Sequence, residues 1–226
     1  MNTALIVAAG SGTRFGSDQP KQFLHLLGRP VIIHCLETFQ QCSAVDEIVL
    51  VVSEYGREAF ESLAGRYSFS KLTSIVTGGI TRAHSVKNGF EFIEPHPDAI
   101  VAVHDGARPL VTADEIERVI AKASQTGAAC LVAEITDTVK RVEAGSIVET
   151  VDRAHLRRAL TPQAFRYDIL RRAFEGSPLD EAVTDECYLV ERLGLPISCV
   201  EGSHRNIKIT RPEDLRLATT LLAGEQ

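Results

Sequence analysis

The chain has no excess of positive charge: 24 Lys and Arg stand against 30 Asp and Glu, for a formal net charge of −6. Nucleic-acid binders normally show a basic excess or stripe, so nucleic acid is not the expected partner, although a local basic pocket for phosphates is still allowed. There is no C-x-x-C pair. The five cysteines (Cys35, Cys42, Cys130, Cys187 and Cys199) are scattered. They fit neither a disulfide framework nor a zinc site, and read as small buried residues in a reducing compartment. No apolar run approaches the roughly 20 residues of a membrane span. Leu5 to Ala9 is too short for a signal-peptide core and has no basic segment before it. The expectation is a soluble, cytoplasmic protein that binds no membrane.

Two familiar glycine motifs are missing as well. Leu5 to Val7 is a short apolar run without alternation, as a strand buried on both faces reads. It dissolves into Ala8-Ala9-Gly10-Ser11-Gly12, with Arg14 and Lys21 following. A Walker loop would need its second Gly at Phe15, and the dinucleotide fingerprint its third, whereas Gly16 comes one residue late. What is left is a turn of small residues that leaves backbone N–H groups uncovered and beside two cations. Gly permits the positive φ that aims such donors at one point. That combination suits a nucleotide polyphosphate. The segment from Arg14 to Lys21, with Gly16, Ser17 and Asp18, is expected to close on the nucleotide.

What is present is an alternation of strands and helices. Glu47 to Ser53 (with its apolar run Ile48 to Val52), Ser74 to Thr77, Ile100 to Val103 and Ala129 to Ile135 read as strands. Between them Ile32, Cys35, Leu36 and Phe39, then Val86, Gly89, Phe90 and Ile93, then Ile116, Val119, Ile120 and Ala123 mark helix faces. Thr112 and Glu115 have capping-box spacing. The expected fold is α/β: a Rossmann-like, mostly parallel twisted sheet with helices on both faces. Two polar β-prone stretches, Thr138–Glu143 and Ser146–Val151, joined by Ala144-Gly145, read as a projecting hairpin arm over about 136–153 that packs on a dimer partner. Thr161-Pro162-Gln163 reads as a loop before a helix holding Phe165 and Ile169. Asp185 to Leu193 reads as a helix, Asn206 to Ile209 as a short strand, and Thr210 with Glu213 as a second capping box. No linker divides the chain, so 1–226 reads as one domain.

In open parallel sheets ligands bind outside the carboxyl ends of the strands. Ala8 to Arg14, Gly78-Gly79 and His104 to Pro109 all fall there. With these segments in view, the chain resembles the 2-C-methyl-D-erythritol 4-phosphate cytidylyltransferases almost end to end. The resemblance rests on Ala8–Arg14 with Pro20-Lys21-Gln22, Gly78-Gly79-x-x-Arg82-x-x-Ser85-Val86 and Val103–Pro109. It continues through Asp137–Lys140, Val151-Asp152-Arg153, Ala159–Gln163, Thr184-Asp185-Glu186 and Asn206–Leu215. Ile80 stands where relatives often carry an acid, and Cys187 where they usually carry Ala.

The resemblance implies transfer of the cytidylyl group of CTP to 2-C-methyl-D-erythritol 4-phosphate, with Mg²⁺ carried mainly on the CTP phosphates. It implies that Arg14 and Lys21 stabilise the transition state and that Ala8, Ala9, Gly10 and Gly12 cradle the triphosphate. Gly79 and Ser85 would hold the base, although Ser85 could equally satisfy backbone at a helix start. Arg108 belongs to the same crevice. Asp105 would hold a substrate hydroxyl, order water around Mg²⁺, or simply close an Asx turn. Arg153, Lys208, Thr161 and Thr184 would position the acceptor, while Thr161 could instead shape a loop and Thr184 cap a helix. The family forms homodimers by exchanging arms, so Arg153 is expected in its own site or in the partner's. His104 reads as a packed or turn-bonded histidine, and Cys187 as an apolar substitute. The competing readings are a cytidylyltransferase for another polyol phosphate such as ribitol 5-phosphate, a nucleotide-dependent oxidoreductase and a non-catalytic nucleotide-binding module.

Overall fold

Strand β1 (Asn2–Ala8) lies inside the molecule because both of its faces are apolar: Ala4, Ile6 and Ala8 enter one core, and Leu5 the other. The structure is a computed structural model and describes residues 1–10, 20–64, 66–180 and 182–224. Gly12, Arg14 and most of the expected closing segment lie outside the described residues. Flanking β1 in parallel are β4 (Glu47–Val52) and β6 (Ile100–Asp105). β5 (Leu72–Thr77) extends the sheet parallel to β4. On the other side come β10 (Arg157–Arg166), β7 (Ala128–Glu134) and β11 (Ser198–Glu201). The order in this seven-stranded sheet is β11-β7-β10-β6-β1-β4-β5, with β10 running antiparallel to both neighbours.

Helices cover both faces, as expected. One face carries α1 (Val31–Gln41), α2 (Glu54–Ala64) and α4 (Ala113–Thr126), which insert Ile32, Leu36 and Phe39, Phe60, and Ile116 and Val119 into one core. The other carries α3 (Arg82–Phe90), α5 (Tyr167–Gly176) and α6 (Glu186–Arg192), with Val86, Leu170, Leu189 and Val190 in the second core. The closing helix α7 (Pro212–Ala223) packs Ala218 on Leu26, Val31 and Ile209. The Thr112–Glu115 capping box opens α4. A short antiparallel pair, β2 (His25–Leu26) with β3 (Arg29–Pro30), precedes α1.

The arm is a hairpin of β8 (Val139–Glu143) and β9 (Ser146–Val151), separate from the main sheet. Its tip, Ala144-Gly145, has φ of +46° and +80°, the double positive φ of the tight hairpin turns that match strand twist.

Three expectations need correction. Thr161-Pro162-Gln163 is not a loop before a helix: it lies inside β10, and Phe165 is a strand residue. Proline normally argues against an interior strand. Here the register against β7 shifts between Ala159 and Gln163, and this irregularity takes up Pro162. Asn206 to Ile209 forms no ladder; its backbone is held by single contacts, Ile209 N–H to Ala107 C=O at 2.8 Å and Asn206 C=O from the Arg108 guanidinium at 2.8 Å. The last helix begins one residue later than its spacing suggested, with Arg211 at the N-cap and Asp214, not Glu213, accepting from the N–H groups of Thr210 and Arg211 at 2.8 Å each.

Candidate active site

The carboxyl ends of β1, β5 and β6 open into one cleft of about 470 Å³. Ala8 to Gly10 leave β1 along its floor, Gly79 to Arg82 follow β5 on one wall, and Asp105 closes β6. Lys21 and Lys208 line it from segments far apart in the chain. The floor is fixed by a residue to which sequence reading assigned no role. Gln22, buried, donates its side-chain amide to the carbonyl of Ala8 and, at 3.2 Å, to that of Gly10. Both carbonyls are thereby held on the Gln22 side of the turn.

The Gly79 wall is set by the start of α3. Thr81 caps the helix, accepting from His84 N–H at 3.2 Å. Ser85 Oγ accepts from Gly79 N–H at 3.0 Å and donates to Thr81 C=O at 2.9 Å. The hydroxyl thus satisfies backbone near the helix start, the second of the two expectations for Ser85, and the residue also lines the cleft. A Cβ on residue 79 would sit 2.5 Å from that of His84, so only glycine lets this wall lie against α3.

Asp105 is the centre of charge. Its Oδ1 accepts from Arg82 Nε at 2.9 Å, and its Oδ2 meets Lys208 Nζ at 2.8 Å and Arg108 Nε at 3.5 Å. Burial opposes its ionisation, but Arg82, Lys208 and Arg108 together hold the carboxyl far below the usual carboxylate range. It is an ion-paired carboxylate, not an Asx-turn residue, and its oxygens are committed to cations. Among the described residues no cluster of three or more His, Cys, Asp or Glu could hold a metal, and Asp105, with both oxygens facing cations, does not fit the role of an Mg²⁺ ligand.

Arg82 also reaches Glu186: Nη1 lies 2.8 and 3.0 Å from its two oxygens. Glu186 is fully buried at the start of α6. Burial raises its carboxyl above the usual range, with Arg82 opposing. Neither residue was given a role from sequence.

Behind Asp105 stands a neutral relay. His104 is fully buried, packed on Phe39 with ring centroids 4.9 Å apart, and burial lowers it to about 4. Its Nε2 lies 3.2 Å from Arg108 C=O and its Nδ1 3.0 Å from Thr161 Oγ1. A neutral ring protonated on Nε2 satisfies both contacts: it donates to the carbonyl and accepts from the Thr161 hydroxyl. Thr161 Oγ1 in turn accepts from Asp105 N–H at 3.1 Å. The structure therefore places Thr161 beneath Asp105, buried, and His104 as the packed histidine that was expected.

Lys21, Lys208, Asp105, Ala8, Ala9, Gly10, Gly79 and Ser85 come together in the cleft. Arg108 sits just outside it on Asp105 and the Asn206 carbonyl. Two others stand apart. Arg153 is exposed after the arm and donates to Thr136 C=O. Thr184 is exposed before α6 and does not cap it: Asp185 does, accepting from Tyr188 N–H at 3.0 Å. Cys187 is buried, and its thiol is pushed up by its hydrogen bond with Cys130 and by burial, which suits a packing residue and not a nucleophile.

No helix among the described residues is long and apolar enough to cross a membrane. A family model described as 2-C-methyl-D-erythritol 4-phosphate cytidylyltransferase matches residues 2–224. A Bacillus velezensis protein of that name is 41% identical over 223 residues, covering 98% of this chain and 95% of the relative. One from Pelotomaculum thermopropionicum is 42% identical over 226 residues, covering 99% and 94%. The crystal structure of the Anaerococcus prevotii 4-diphosphocytidyl-2C-methyl-D-erythritol synthase superposes with a TM-score of 0.86 at 27% identity, covering 98% of this chain and 96% of that one. The Francisella tularensis cytidylyltransferase gives 0.82 at 33% identity, covering 97% and 98%. Matched from end to end, the chain belongs to the 2-C-methyl-D-erythritol 4-phosphate cytidylyltransferase family and is a nucleotidyltransferase.

Proposed function

We propose that this chain joins CTP and 2-C-methyl-D-erythritol 4-phosphate by in-line attack of the acceptor's own phosphate on the α-phosphorus. One P–O bond forms there, and the bond to the β-phosphate breaks and releases pyrophosphate. The observation that carries this reading is a cleft where Lys21 and Lys208 gather near a backbone turn, around a carboxylate, Asp105, already committed to ion pairs. Among the described residues such a site shows no nucleophile–base pair and suits the gathering of polyanions. The attacking phosphate is largely dianionic near neutral pH, its second pKa being about 6, so no general base is needed. What the protein supplies is orientation and charge stabilisation.

Lys21 enters from the nucleotide side and Lys208 from the acceptor side; Arg14 joins Lys21 at the α-phosphate. Ala8, Ala9, Gly10 and Gly12 receive the triphosphate, and Gly79 and Ser85 receive the base. The divalent cation arrives as part of the metal–nucleotide substrate, and no step here depends on a protein ligand for it. Residues 1–226 act as one domain, and the chain works as a homodimer. Arg153, exposed and away from its own cleft, then reaches the partner's acceptor through the arm. Thr184 adds an acceptor contact when that site fills. A cytoplasmic location fits the five free cysteines.

The test is pyrophosphate release from protein, CTP and Mg²⁺ with methylerythritol phosphate, ribitol 5-phosphate or no acceptor. Release with methylerythritol phosphate alone is expected. Turnover only with ribitol phosphate would reassign the acceptor, and CTP binding without turnover in any arm would leave a binding module.

A further inference from the structure

Glu186, Arg82, Asp105 and Lys208 form a line of alternating charge that crosses the site. Arg82 is the first residue of α3, just after the Gly79 wall, and Glu186 the first of α6, just after Thr184. Between them the guanidinium is divided: Nη1 takes both oxygens of Glu186 at 2.8 and 3.0 Å, and Nε takes only Oδ1 of Asp105 at 2.9 Å. Asp105 Oδ2 is thereby left to Lys208 Nζ at 2.8 Å, with Arg108 Nε farther off at 3.5 Å. A fully buried carboxylate is an expensive way to anchor a helix, and α6 does not need it. Gln163 already pins that helix start, donating to Asp185 Oδ2 at 2.8 Å and accepting from Cys187 N–H at 3.2 Å.

We propose that Glu186 and Arg82 are positioning residues for the acceptor: Glu186 holds the guanidinium so that it spends one donor on Asp105, which leaves the other Asp105 oxygen to fix the Lys208 ammonium. Without the Glu186 charge, Arg82 is drawn onto both Asp105 oxygens, the fork–fork geometry such pairs favour, and Lys208 loses its anchor. The inference rests on the reading that Lys208 holds the acceptor phosphate.

The experiment is steady-state kinetics with both substrates varied on wild type, Glu186→Gln, Arg82→Lys and the double Arg82→Met/Glu186→Met, each checked by thermal melt. For Glu186→Gln the acceptor KM should rise tenfold or more while the CTP KM stays within twofold. The double variant should return the acceptor KM to within threefold of wild type, because Arg82 no longer competes with Lys208 for Asp105 and Arg108 stays where it is in wild type. A merely structural pair would raise both KM values together, or make the double variant as poor as the single. Either result overturns the proposal, as does an unchanged acceptor KM in Glu186→Gln. Arg82→Lys, with one nitrogen in place of the two that reach Asp105 and Glu186, should also raise the acceptor KM selectively, and it replaces Glu186→Gln as the single variant if that protein does not fold. Absence of turnover in wild type would instead strike the proposed function, so the two failures are told apart.

Discussion

Thr161 shows what a buried hydroxyl does beneath a charged residue. It accepts from Asp105 N–H and pairs with His104. Thr161→Val keeps the shape and leaves both partners unpaired, which costs about 1–3 kcal/mol. Urea denaturation should show that loss, and Thr161→Ser, which keeps the hydroxyl, should recover most of it. His104 carries a pH signature. Its folded value near 4 lies below the ordinary 6.5, so between these limits the unfolded chain binds a proton that the folded one does not. Its contribution is complete above pH 6.5 and is lost as the pH falls towards 4, at up to about 1.4 kcal/mol per pH unit. Asp105, held low, works in the same direction below its ordinary value. Unfolding free energy followed against pH should therefore begin to fall near 6.5; a curve flat down to 5 would mean that His104 is charged in the folded state. For Lys21→Ala, loss of one oriented charge donor should cut kcat about 10²–10³-fold, or about 3–4 kcal/mol, with the melting temperature unchanged.

Elements decide which of these residues meet. β10 carries Thr161 to Asp105 and Gln163 to the start of α6 from a single strand. α3 approaches the sheet at Gly89, where a Cβ would overlap Leu5 Cδ1 and Val51 Cγ2. Gly89→Ala tests that packing. Helix propensity alone would favour Ala by up to about 1 kcal/mol, but overpacking costs about 1–3 kcal/mol. Net destabilisation in a denaturant titration is expected, and stabilisation would contradict the close approach. The alternation of β1, β4 and β6 and the faces of α1, α3 and α4 were legible in the sequence because local periodicity reports burial directly. β10 was not, because Pro162 and the small polar residues around it read as a turn, and only the irregular register against β7 makes room for them. The Arg82–Glu186 pair was missed because it joins positions 104 apart. A signal did exist: Glu186 shares the i, i+3, i+4 face with buried Leu189 and Val190, and a charge on an apolar stripe calls for a buried partner.

At the scale of the whole molecule the sheet gathers β1, β5 and β6 around the cleft, while the hairpin stands apart with Val142, Ile147 and Val148 at 58%, 66% and 52% exposure. Apolar residues left so exposed on a polar hairpin fit the partner-binding arm expected from the sequence. If arms are exchanged, mixing inactive Arg14→Ala and Arg153→Ala chains should restore about a quarter of the activity, since half the random dimers carry one intact site. No recovery would place Arg153 in its own site. The glycine turn and Lys21 were legible as a phosphate site, Asp105 as a residue of the same crevice, and Lys208 only through the family resemblance; the acceptor's identity rests on family membership. The most direct test of the central claim uses acceptor labelled with ¹⁸O in its phosphate, incubated with CTP and the protein, with the products read by ³¹P NMR. Attack by the acceptor phosphate on the α-phosphorus predicts ¹⁸O in the bridge of the product diphosphate and unlabelled pyrophosphate. Label in the pyrophosphate, or CMP formed in place of the joined product, would contradict it.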